Sequence, residues 1–590
     1  MSSADQDKFI SLARERFAHA EAEESEIRRE AMLDLQYLAG EQWDETDKTA
    51  RKNAGRPALV FNKLPGFVGQ VANESRQQKQ MIKFNPVDSG ADKDTAIVYG
   101  GLARHIQYNS DADIARENAV EYSAGCSFGV MRLTSDYADD DSFDNQDLKV
   151  TPVLDPFSVY GVLIPAIFGR KCRCAFVVET MKRDDYEAEY GEIEASSWEG
   201  TAGSGWLTED EVRIAEYWYL ETKKRVKVQL ADGSAAYEDE LPEGAELAKD
   251  EKGKPRKRSC MVDEVHSCKM DGARVLPDTD TTWPDREIPV WPVLGRQLIV
   301  NGRAKLFSVI RFARDPQQLF NYYKSSIAEV LSLAPKTPYI GYLGQFKTKS
   351  REWATANKVN YAYLEADPVT ISGQPAPLPQ RQLYEAPIQA LSAAAAQEAD
   401  DMKATTSIYD ASLGAQGNET SGIAIQRRQQ QSSITNLHFL DNLARTERRI
   451  GRAIARLIPS YYDTARDIQI LGEDESQRVV KVNQIYEEEG KVRHYRIDAG
   501  KYDLVATTAP SYPTQRLEAF DMLTQFAQAY PALLQIAGDI VFRNSDMPGA
   551  DELADRFKKT LPPNLAADDK DKPPPQIPPQ VQQQMQMMMQ

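Results

Sequence analysis

The chain has 590 residues and a formal net charge of −18. Its length predicts several domains, and a content of 41% hydrophobic and 27% charged residues excludes a mainly disordered or collagen-like chain. Five cysteines cannot form a disulfide scaffold, and five histidines argue against a large histidine-built metal centre. Because 89 acidic residues outnumber 71 Lys and Arg, the balance also excludes a protein that coats nucleic acid.

The sequence carries no sign of export or membrane insertion. Its N-terminal residues contain no apolar core of signal-peptide length. No run of about 18 apolar residues, the length that spans a bilayer, occurs anywhere in it. The odd number of cysteines suits a reducing compartment. We therefore expect a soluble protein that starts in a cytoplasm and has no membrane partner.

The first half begins with a helix and continues with strands. Residues 4–38 contain neither Pro nor Gly and predict one long charged helix, which Gly40 ends. From about residue 83 to 310 the sequence is typical of β structure. The predicted strand pairs are 130–137 with 148–154, 173–180 with 212–221, and 225–230 with a strand from residue 237 across an Asp-Gly turn.

Helices return after residue 310. The sequence predicts a helix from 311 that Pro335 stops, a compact proline-rich subdomain, and an alanine-rich second helix. A polar loop at 413–421 precedes the longest predicted helix, whose end Pro459 kinks. Strand-like residues follow to about 510, and then at least two helices. The Pro-, Gln- and Met-rich tail is predicted to be disordered.

The motifs of common catalytic sites are missing from the sequence. Its three Gly-Lys pairs begin at Gly253, Gly490 and Gly500, and none is followed by the Ser or Thr that a P-loop requires. Neither G-x-S-x-G nor H-E-x-x-H occurs. The sequence therefore predicts no enzyme and no cofactor.

Three clusters of reactive side chains each have an ordinary interpretation. Aspartates at a predicted hairpin tip could bind Ca²⁺, but they lack the Gly and terminal Glu of an EF-hand loop, which favours a solvated turn. A Cys and His group lacks the spacing of a zinc site, and a basic run reads as an exposed loop. The clusters are Asp139, Asp140, Asp141, Asp144 and Asp147; Cys172, Cys174, Cys260, His266 and Cys268; and Lys252, Lys254, Arg256, Lys257 and Arg258.

Five arginines predict a basic face on the longest helix. At 100° per residue they all fall within about 60° of the first one, and four aliphatic residues fall on the opposite side. A solvated face is the ordinary interpretation. The lack of acids on the basic side favours a partner, either phosphate or the carboxylates of a neighbour. The arginines are Arg445, Arg448, Arg449, Arg452 and Arg456, and the aliphatic residues are Leu443, Ile450, Ile454 and Leu457.

The polar loop before this helix reads LGAQGNETS. Its two glycines allow unusual backbone angles, and Asn418 and Ser421 can cap the following helix, whose free N–H groups attract anions. Arg427 and Arg428 follow within two turns. A flexible polar loop between two helices suits a lining or gating role.

Seven segments, in order along the chain, carry a family resemblance. They are YLAGEQW at 37–43, GRPALVFNKLPGFVGQVANESRQQK at 55–79, AVEYSAGCSFGVMRL at 119–133, DPFSVY at 155–160, RDPQQLFNYYKSSIAE at 314–329, GNETSGIAIQRRQQQ at 417–431 and GKYDLVATTAPSYPTQRLEAFDML at 500–523. Each is weak alone, but the ordered set resembles the portal proteins of tailed, double-stranded DNA phages of the P22-like podophage group.

The resemblance implies an α+β portal fold in a ring, with twelve subunits in the virion, around a central channel for DNA packaging and ejection. It implies a location at the portal vertex of the capsid, and in the host cytoplasm during assembly. The implied partners are other copies of the chain, double-stranded DNA, the terminase large subunit, major capsid and scaffolding proteins, and head-completion or tail adaptor proteins.

The resemblance also implies a division of the chain. The segments are a mixed α/β wing with the N-terminal helix at 1–310, stem helices at 311–335 and 386–409 around a clip at 336–385, a tunnel loop at 410–421, a long kinked helix at 422–465, returning wing strands at 466–512, a helical crown at 513–560 and the tail at 561–590. Only this short tail stands where some relatives carry a long C-terminal barrel, so no long barrel is expected.

The site residues implied by the resemblance lie in the tunnel loop and on the basic helix. The loop residues are Gly414, Gln416, Gly417, Asn418, Glu419, Thr420 and Ser421. The basic face, extended by Arg427 and Arg428, would contact DNA or a neighbouring subunit.

Two other functions stay open. One is a different head–tail connector ring that makes no terminase contact, and the other is a nuclease that uses the aspartate cluster with Mg²⁺. The acidic charge fits a conduit, because every phosphate held by a cation adds affinity that would stall DNA in transit.

Overall fold

The computed structural model describes residues 3–560 apart from several gaps. The gaps are 88–91, 139–142, 144, 192–205, 207–209, 232–234, 242–245, 250–253, 272, 334–337, 382–386, 409–435, 473–476, 489–490, 496, 498–501, 511–518, 521, 526, 529–531, 546 and 548.

Helices and strands are mixed along the chain, so the α+β class is confirmed. The helices are α1 Ser3–Ala39, α2 Glu45–Asn53, α3 Leu64–Gln77, α4 Lys93–Asn109, α5 Ala112–Cys126, α6 Leu163–Ile167, α7 Arg183–Tyr190, α8 Arg314–Leu333, α9 Ser350–Thr355, α10 Ile388–Thr406, α11 Leu437–Tyr461, α12 Ala532–Arg543 and α13 Ala550–Thr560. Within the described residues, no helix combines the length and apolar character needed to cross a bilayer.

The strands are short, with two exceptions near the middle of the chain. They are β1 Gln78–Pro86, β2 Phe128–Tyr137, β3 Gln146–Pro152, β4 Val159–Tyr160, β5 Cys174–Lys182, β6 Glu211–Gln229, β7 Ala235–Tyr237, β8 Lys257–Met270, β9 Thr281–Trp283, β10 Val290–Leu294, β11 Arg296–Val300, β12 Arg303–Phe307, β13 Tyr339–Ile340, β14 Thr370–Ile371, β15 Gln374–Pro375, β16 Gln380–Arg381, β17 Arg466–Leu471, β18 Gln477–Val482, β19 Ile485–Glu488, β20 Lys491–His494 and β21 Tyr502–Pro510.

The chain divides into two compact units. The larger comprises residues 1–76, 82–470 and 477–506, and the smaller comprises 77–81, 471–476 and 507–590. In the smaller unit α12 and α13 pack closely at Gly538, where a Cβ atom would lie 2.8 Å from the Phe557 ring. The Phe542 and Phe557 rings lie 5.2 Å apart between the same helices.

The largest sheet of the larger unit is antiparallel and contains six strands in the order β4-β5-β6-β8-β9, with β7 beside β6. The helix α1 covers one face of it. Phe17 packs edge-on against Phe176 at 5.2 Å, and Arg16 Nη1 donates to the Tyr217 hydroxyl at 2.6 Å. The helix ends as predicted at Gly40, whose φ of +94° allows the Glu41 amide to bond back to Gln36.

A second sheet, in the order β10-β2-β3, lies in the main core. Gly129 in β2 allows α5 to approach closely, because a Cβ atom there would lie 2.1 Å from the carbonyl oxygen of Ala119. The predicted strands near 130–137 and 148–154 pair as β2 and β3, with Tyr137 opposite Gln146. This pairing confirms the predicted hairpin.

The predictions for the large sheet need two corrections. Residues 212–221 and 225–230 belong to one strand, β6, of 19 residues. No Gly or Pro interrupts it, and Lys223 forms a cross-strand ion pair with Glu264 at 2.7 Å. The partner strand β8 begins at Lys257, so Lys257 and Arg258 lie in a strand and not in the predicted loop, although both are exposed as predicted.

Candidate functional site

The helix α11 buries the side that the sequence predicted to be apolar. Leu443, Ile450, Ile454 and Leu457 are each at most 2% exposed. Pro459 lies inside the last turn, and the helix ends two residues later at Tyr461. The apolar side of the helix is therefore confirmed by burial.

The five arginines of the basic face divide into two groups. Arg456 holds the buried Asp285 with two hydrogen bonds, from Nε at 2.7 Å and from Nη2 at 2.9 Å. Arg449 lies 3.7 Å from Glu287, which Arg456 also approaches. These two arginines therefore bind α11 to the segment before β10, and they serve the fold.

Arg445, Arg448 and Arg452 are exposed, and none forms an ion pair with a described carboxylate. Arg448 Nε donates to its own helix, at the Ala444 carbonyl oxygen 3.1 Å away. Arg445 Nη1 reaches the Asn442 side chain at 3.5 Å. Most of the donor capacity of these three guanidinium groups is therefore left for a ligand or partner.

The three arginines line a cleft of about 540 Å³, together with Arg449. The other wall is largely apolar and comes from Ala166, Ile167, Gly169, Pro292 and Leu294, with Gln297 at the edge. Two side chains fix the floor. Asn442 Nδ2 donates to the Leu294 and Gly295 carbonyl oxygens at 2.8 and 3.0 Å, and Thr446 Oγ1 donates to the Pro292 carbonyl at 3.0 Å.

Sequence reasoning missed a second group of cations beside this cleft. Arg170 and Lys171 follow α6 and are exposed. A smaller cavity is lined by Arg170 and Lys171 from this loop and by Arg449 from α11. Lys171 Nζ pairs with Asp263 at 2.6 Å. Both cations are visible in the sequence GRKCRC, but their position beside the cleft depends on the fold.

Glu447 was also missed, because it falls on the apolar side of α11. Its carboxylate lies 3.0 Å from Arg116 Nε of α5, and both side chains are nearly buried. Burial raises the pKa of Glu447, Arg116 opposes this rise and a nearby Asp113 adds to it, and the resulting pKa is about 7. The buried side of the helix therefore carries one group that titrates near neutral pH.

Two of the segments that carry the family resemblance meet in the structure. Side chains one turn apart on α8 bond to alternate N–H groups of the irregular segment 57–63. The bonds join Lys63 N to Gln317 Oε1 at 3.1 Å, Phe61 N to Asn321 Oδ1 at 2.9 Å, and Leu59 N to Ser325 Oγ at 2.9 Å. We call these contacts the polar ladder.

The polar ladder extends beyond its three amide bonds. Gln317 Nε2 donates to the Phe61 carbonyl at 2.9 Å, and Asn321 Nδ2 donates to Gln42 Oε1 at 2.6 Å. At the next turn Glu329 accepts from Arg56 Nε at 2.9 and 3.0 Å. The segments 37–43, 55–79 and 314–329 are thus parts of one contact.

The predicted tunnel-loop residues lie outside the described part of the chain, as do Arg427 and Arg428. They are Gly414, Gln416, Gly417, Asn418, Glu419, Thr420 and Ser421. The aspartates at 139–141 and 144 also lie outside it.

A comparison of the chain with known families explains why the seven motifs occur in this order. The profile of the family described as Phage P22-like portal protein matches residues 14–590. This chain belongs to that family. It is also similar to a portal protein of Acyrthosiphon pisum secondary endosymbiont phage 1, with 24% identity over 585 residues that cover 92% of this chain and 80% of that protein.

The family membership confirms the predicted function class. Portal proteins are structural components of the virion and belong to an oligomeric ring at the capsid that handles DNA. A portal vertex for DNA packaging is therefore favoured over another connector ring or a nuclease.

The cysteines of this portal chain are placed as ordinary thiols. Cys172 Sγ lies 3.5 Å from the Gly161 carbonyl, and Cys260 Sγ lies 3.5 Å from the Arg225 carbonyl. Burial raises the pKa of Cys172 and of Cys268 to about 12. Such thiols stay protonated at neutral pH, and a protonated thiol is a poor metal ligand.

Asp147 and the pair Glu221 and Glu264 are possible metal ligands that lie beside cations of the portal chain itself. Asp147 lies in β3, 3.6 Å from Arg466. Among the described residues, Glu221, Glu264 and His266 come within 4.8 Å of one another as possible metal ligands. Lys223 Nζ lies 3.3 Å from Glu221 and 2.7 Å from Glu264, so an internal cation pairs with both carboxylates.

Proposed function

We propose that this portal chain forms a ring of twelve subunits at one capsid vertex, through whose channel double-stranded DNA is packaged and later ejected. The observation that carries the proposal is the family match over residues 14–590. The channel passes DNA without performing chemistry on it. Residues 1–310 and 466–512 form the wing, which faces the major capsid and scaffolding proteins, and 513–560 form the crown.

The stem consists of α8 and α10 in this proposal. The two helices pack against each other along their length and flank the segment 336–385 in the sequence. Two helices that leave and re-enter one body suit a stem, because they carry the intervening residues away from the wing and back. Ala395 and Met402 of α10 are buried in the main core.

The clip is the segment 336–385, of which 338–381 is described. Tyr339 and Ile340 pair with Arg381 and Gln380, which closes the segment at its base. The buried Gln345 accepts from the Tyr342 amide at 2.7 Å and donates to the Pro377 carbonyl at 2.7 Å. These bonds make the segment a compact subdomain that can present a docking surface.

Leu343 and Leu378 of the clip are 100% and 78% exposed. Exposed aliphatic side chains on a small, internally bonded subdomain favour a protein partner. We assign this surface to the terminase large subunit during packaging, and to head-completion or tail adaptor proteins afterwards.

We assign residues 410–421, which precede α11 in the sequence, to the tunnel loop that meets the DNA. Its small and polar residues, Gly414 to Ser421, would contact the duplex without a strong grip, because they carry no cation to hold a phosphate. Replacing Gln416 and Asn418 with Arg should slow DNA passage, and single-particle packaging rates would measure this.

Ring formation is the direct test of the proposal. Sedimentation and electron micrographs of the full chain under assembly conditions should give rings with an axial hole. A chain that remains a stable monomer at micromolar concentration would contradict the proposal.

Clip docking has a separate test. The double variant Leu343→Ser with Leu378→Ser should still form rings but should retain at least about tenfold less terminase large subunit in a pull-down, because hydrophobic contact drives such docking. The control is Leu154→Ser, an exposed leucine outside the clip. Rings that never bind terminase would instead identify a connector of another type.

A further inference from the structure

The cleft beside α11 has two unlike walls. One wall presents Arg445, Arg448 and Arg452, which have no ion-pair partner among the described residues, and the other presents the aliphatic residues Ile167 and Leu294. Hydrogen bonds from Asn442 and Thr446 to β10 fix the helix that carries these arginines. A ligand for this cleft must therefore offer negative charge and apolar surface together.

The hairpin of β11 and β12 continues the cleft surface. Gln297 of β11 lines the cleft, and the next three residues, Leu298, Ile299 and Val300, are 52%, 51% and 41% exposed. Within the described part of the chain β11 pairs only with β12, so its other edge is open. Three consecutive aliphatic residues on an open strand are a typical protein-binding surface.

We propose that this composite surface binds an acidic surface of a second copy of the chain, so that it forms one side of the contact between neighbours in the ring. The inference rests on the ring of the proposed function. It names which described residues make the contact, and it assigns Arg445, Arg448 and Arg452 to carboxylates of the neighbour and not to DNA.

The aliphatic hairpin decides between these two partners. Protein interfaces combine arginine with apolar side chains, whereas interfaces with DNA are more polar and rely on phosphate contacts. A duplex offers phosphates to the arginines, but it offers no apolar surface to Leu298 and Ile299 beside them. A folded copy of the chain offers both.

The charge of the chain supports the same partner. Each copy carries a net charge of −18, so copies brought together repel unless the contact joins surfaces of opposite sign. As far as the described residues go, the cleft has three arginines without an ion-pair partner and no acid in its lining, so it is such a surface. In a closed ring each copy presents one surface to the left neighbour and a different one to the right, so the carboxylates come from another part of the chain.

The test compares the full-length wild type with the triple variant Arg445→Gln, Arg448→Gln, Arg452→Gln. The variant should need at least about tenfold more protein to form rings, because each lost guanidinium fork leaves a carboxylate of the neighbour unpaired. Its thermal unfolding midpoint and circular dichroism should match the wild type. The charge-matched control Lys8→Gln, Arg29→Gln, Lys52→Gln removes three exposed cations outside the cleft and should assemble like the wild type.

A second variant tests the apolar half of the surface. Leu298→Thr with Ile299→Thr keeps residues that favour a strand, and it should weaken assembly by a similar factor. The control Val479→Thr alters an exposed strand residue elsewhere and should not. Binding of unassembled subunits to a fluorescent 20-base-pair duplex should be the same for the wild type and the triple variant.

The outcomes separate this inference from the function on which it rests. A wild-type chain that never forms rings overturns both. Wild-type rings that the triple variant also forms at the same concentration overturn the contact alone. The contact is equally overturned if the triple variant assembles normally and only its DNA binding is lost, since the arginines would then hold phosphates.

Discussion

The helices α8 and α11 each carry a polar stripe along one side. The stripe on α8 is buried in the subunit, whereas most of the stripe on α11 is exposed. On α8 the stripe is neutral and buried, and each member bonds to the segment 57–63 or to Gln42. On α11 the stripe is cationic, and only Arg449 and Arg456 have carboxylate partners in the described chain. The other three arginines remain exposed.

The difference shows what decides whether a polar stripe can be buried. A neutral amide or hydroxyl can leave water when every donor and acceptor finds a partner, and an irregular backbone segment supplies such partners. A guanidinium group costs far more to bury and needs a carboxylate beside it. The α8 stripe therefore stabilises the subunit, whereas three of the five arginines of the α11 stripe are left for another molecule.

The largest effect is expected where the buried stripe is broken at its centre. Asn321→Leu keeps the number and branching of the side-chain heavy atoms but leaves the Phe61 N–H and Gln42 Oε1 without their partners, which should lower the free energy of unfolding by about 3 kcal/mol. Urea denaturation followed by tryptophan fluorescence measures this. Asn109→Leu, at the exposed end of α4, should cost less than about 0.5 kcal/mol. Equal losses in the two variants would contradict the proposed role of the ladder.

A pH effect should distinguish the two helices, because α11 carries Glu447, whose pKa is raised to about 7. Between about pH 4.5, where the unfolded chain loses the proton, and about pH 7, where folded Glu447 loses it, the folded state binds more protons. Stability therefore falls as pH rises through this window, and Glu447→Gln should remove a fall of roughly 2 to 3 kcal/mol.

The measurement for Glu447 is the unfolding free energy of wild type and variant at pH 5 and pH 8. Only the difference between the two proteins is assigned to this residue, because other carboxylates titrate in the same range. A difference that is the same at both pH values would show that Glu447 is ionised throughout.

The same substitution at two positions of α11 should separate its two groups of arginines. Arg456→Gln leaves the buried Asp285 without its main cation and should cost about 2 kcal/mol, less than a fully buried pair because the Arg456 side chain is 40% exposed and screened. Arg452→Gln should change the unfolding free energy by less than about 0.5 kcal/mol. Thermal unfolding of both variants measures the contrast, which fails if their midpoints agree.

The smallest effect is expected at the last hydroxyl of the ladder. Ser325→Ala removes the acceptor for the Leu59 amide and should cost about 1 kcal/mol. Ser332→Ala removes an exposed hydroxyl that bonds only to the Glu329 carbonyl of its own helix, and it should be nearly neutral. Hydrogen exchange at the Leu59 amide should be faster in the Ser325 variant alone.

Local features of the fold could be predicted from the sequence, because their causes are local. Gly40 ends α1 through its own positive φ, and the periodicity of α11 placed Leu443 and Ile454 on the buried side. The identity of the unpaired arginines could not be predicted. It depends on Asp285, which lies 171 residues from Arg456 in the sequence.

The polar ladder could not be predicted from the sequence for the same reason. Gln317, Asn321 and Ser325 stand four residues apart in the sequence, but their partners lie 254 to 266 residues earlier. Glu447 was hidden because a single charge on an apolar side gives no periodic signal. Arg170 and Lys171 were visible in the sequence, but nothing in it placed them beside α11.

The spacing of the polar ladder allows its bonds to form at only one position of α8 along the helix axis. Alternate amides of an extended chain lie about 6.6 to 6.8 Å apart, whereas every fourth residue of a helix rises about 6.0 Å. Three rungs tolerate the accumulated mismatch, and a fourth would be displaced by about 2 Å. At that position the chain has Pro57, which lacks an N–H, and Glu329 is held by the longer Arg56 side chain. Because all three bonds can form together at one axial position only, the segment 57–63 fixes where α8 lies along its own axis.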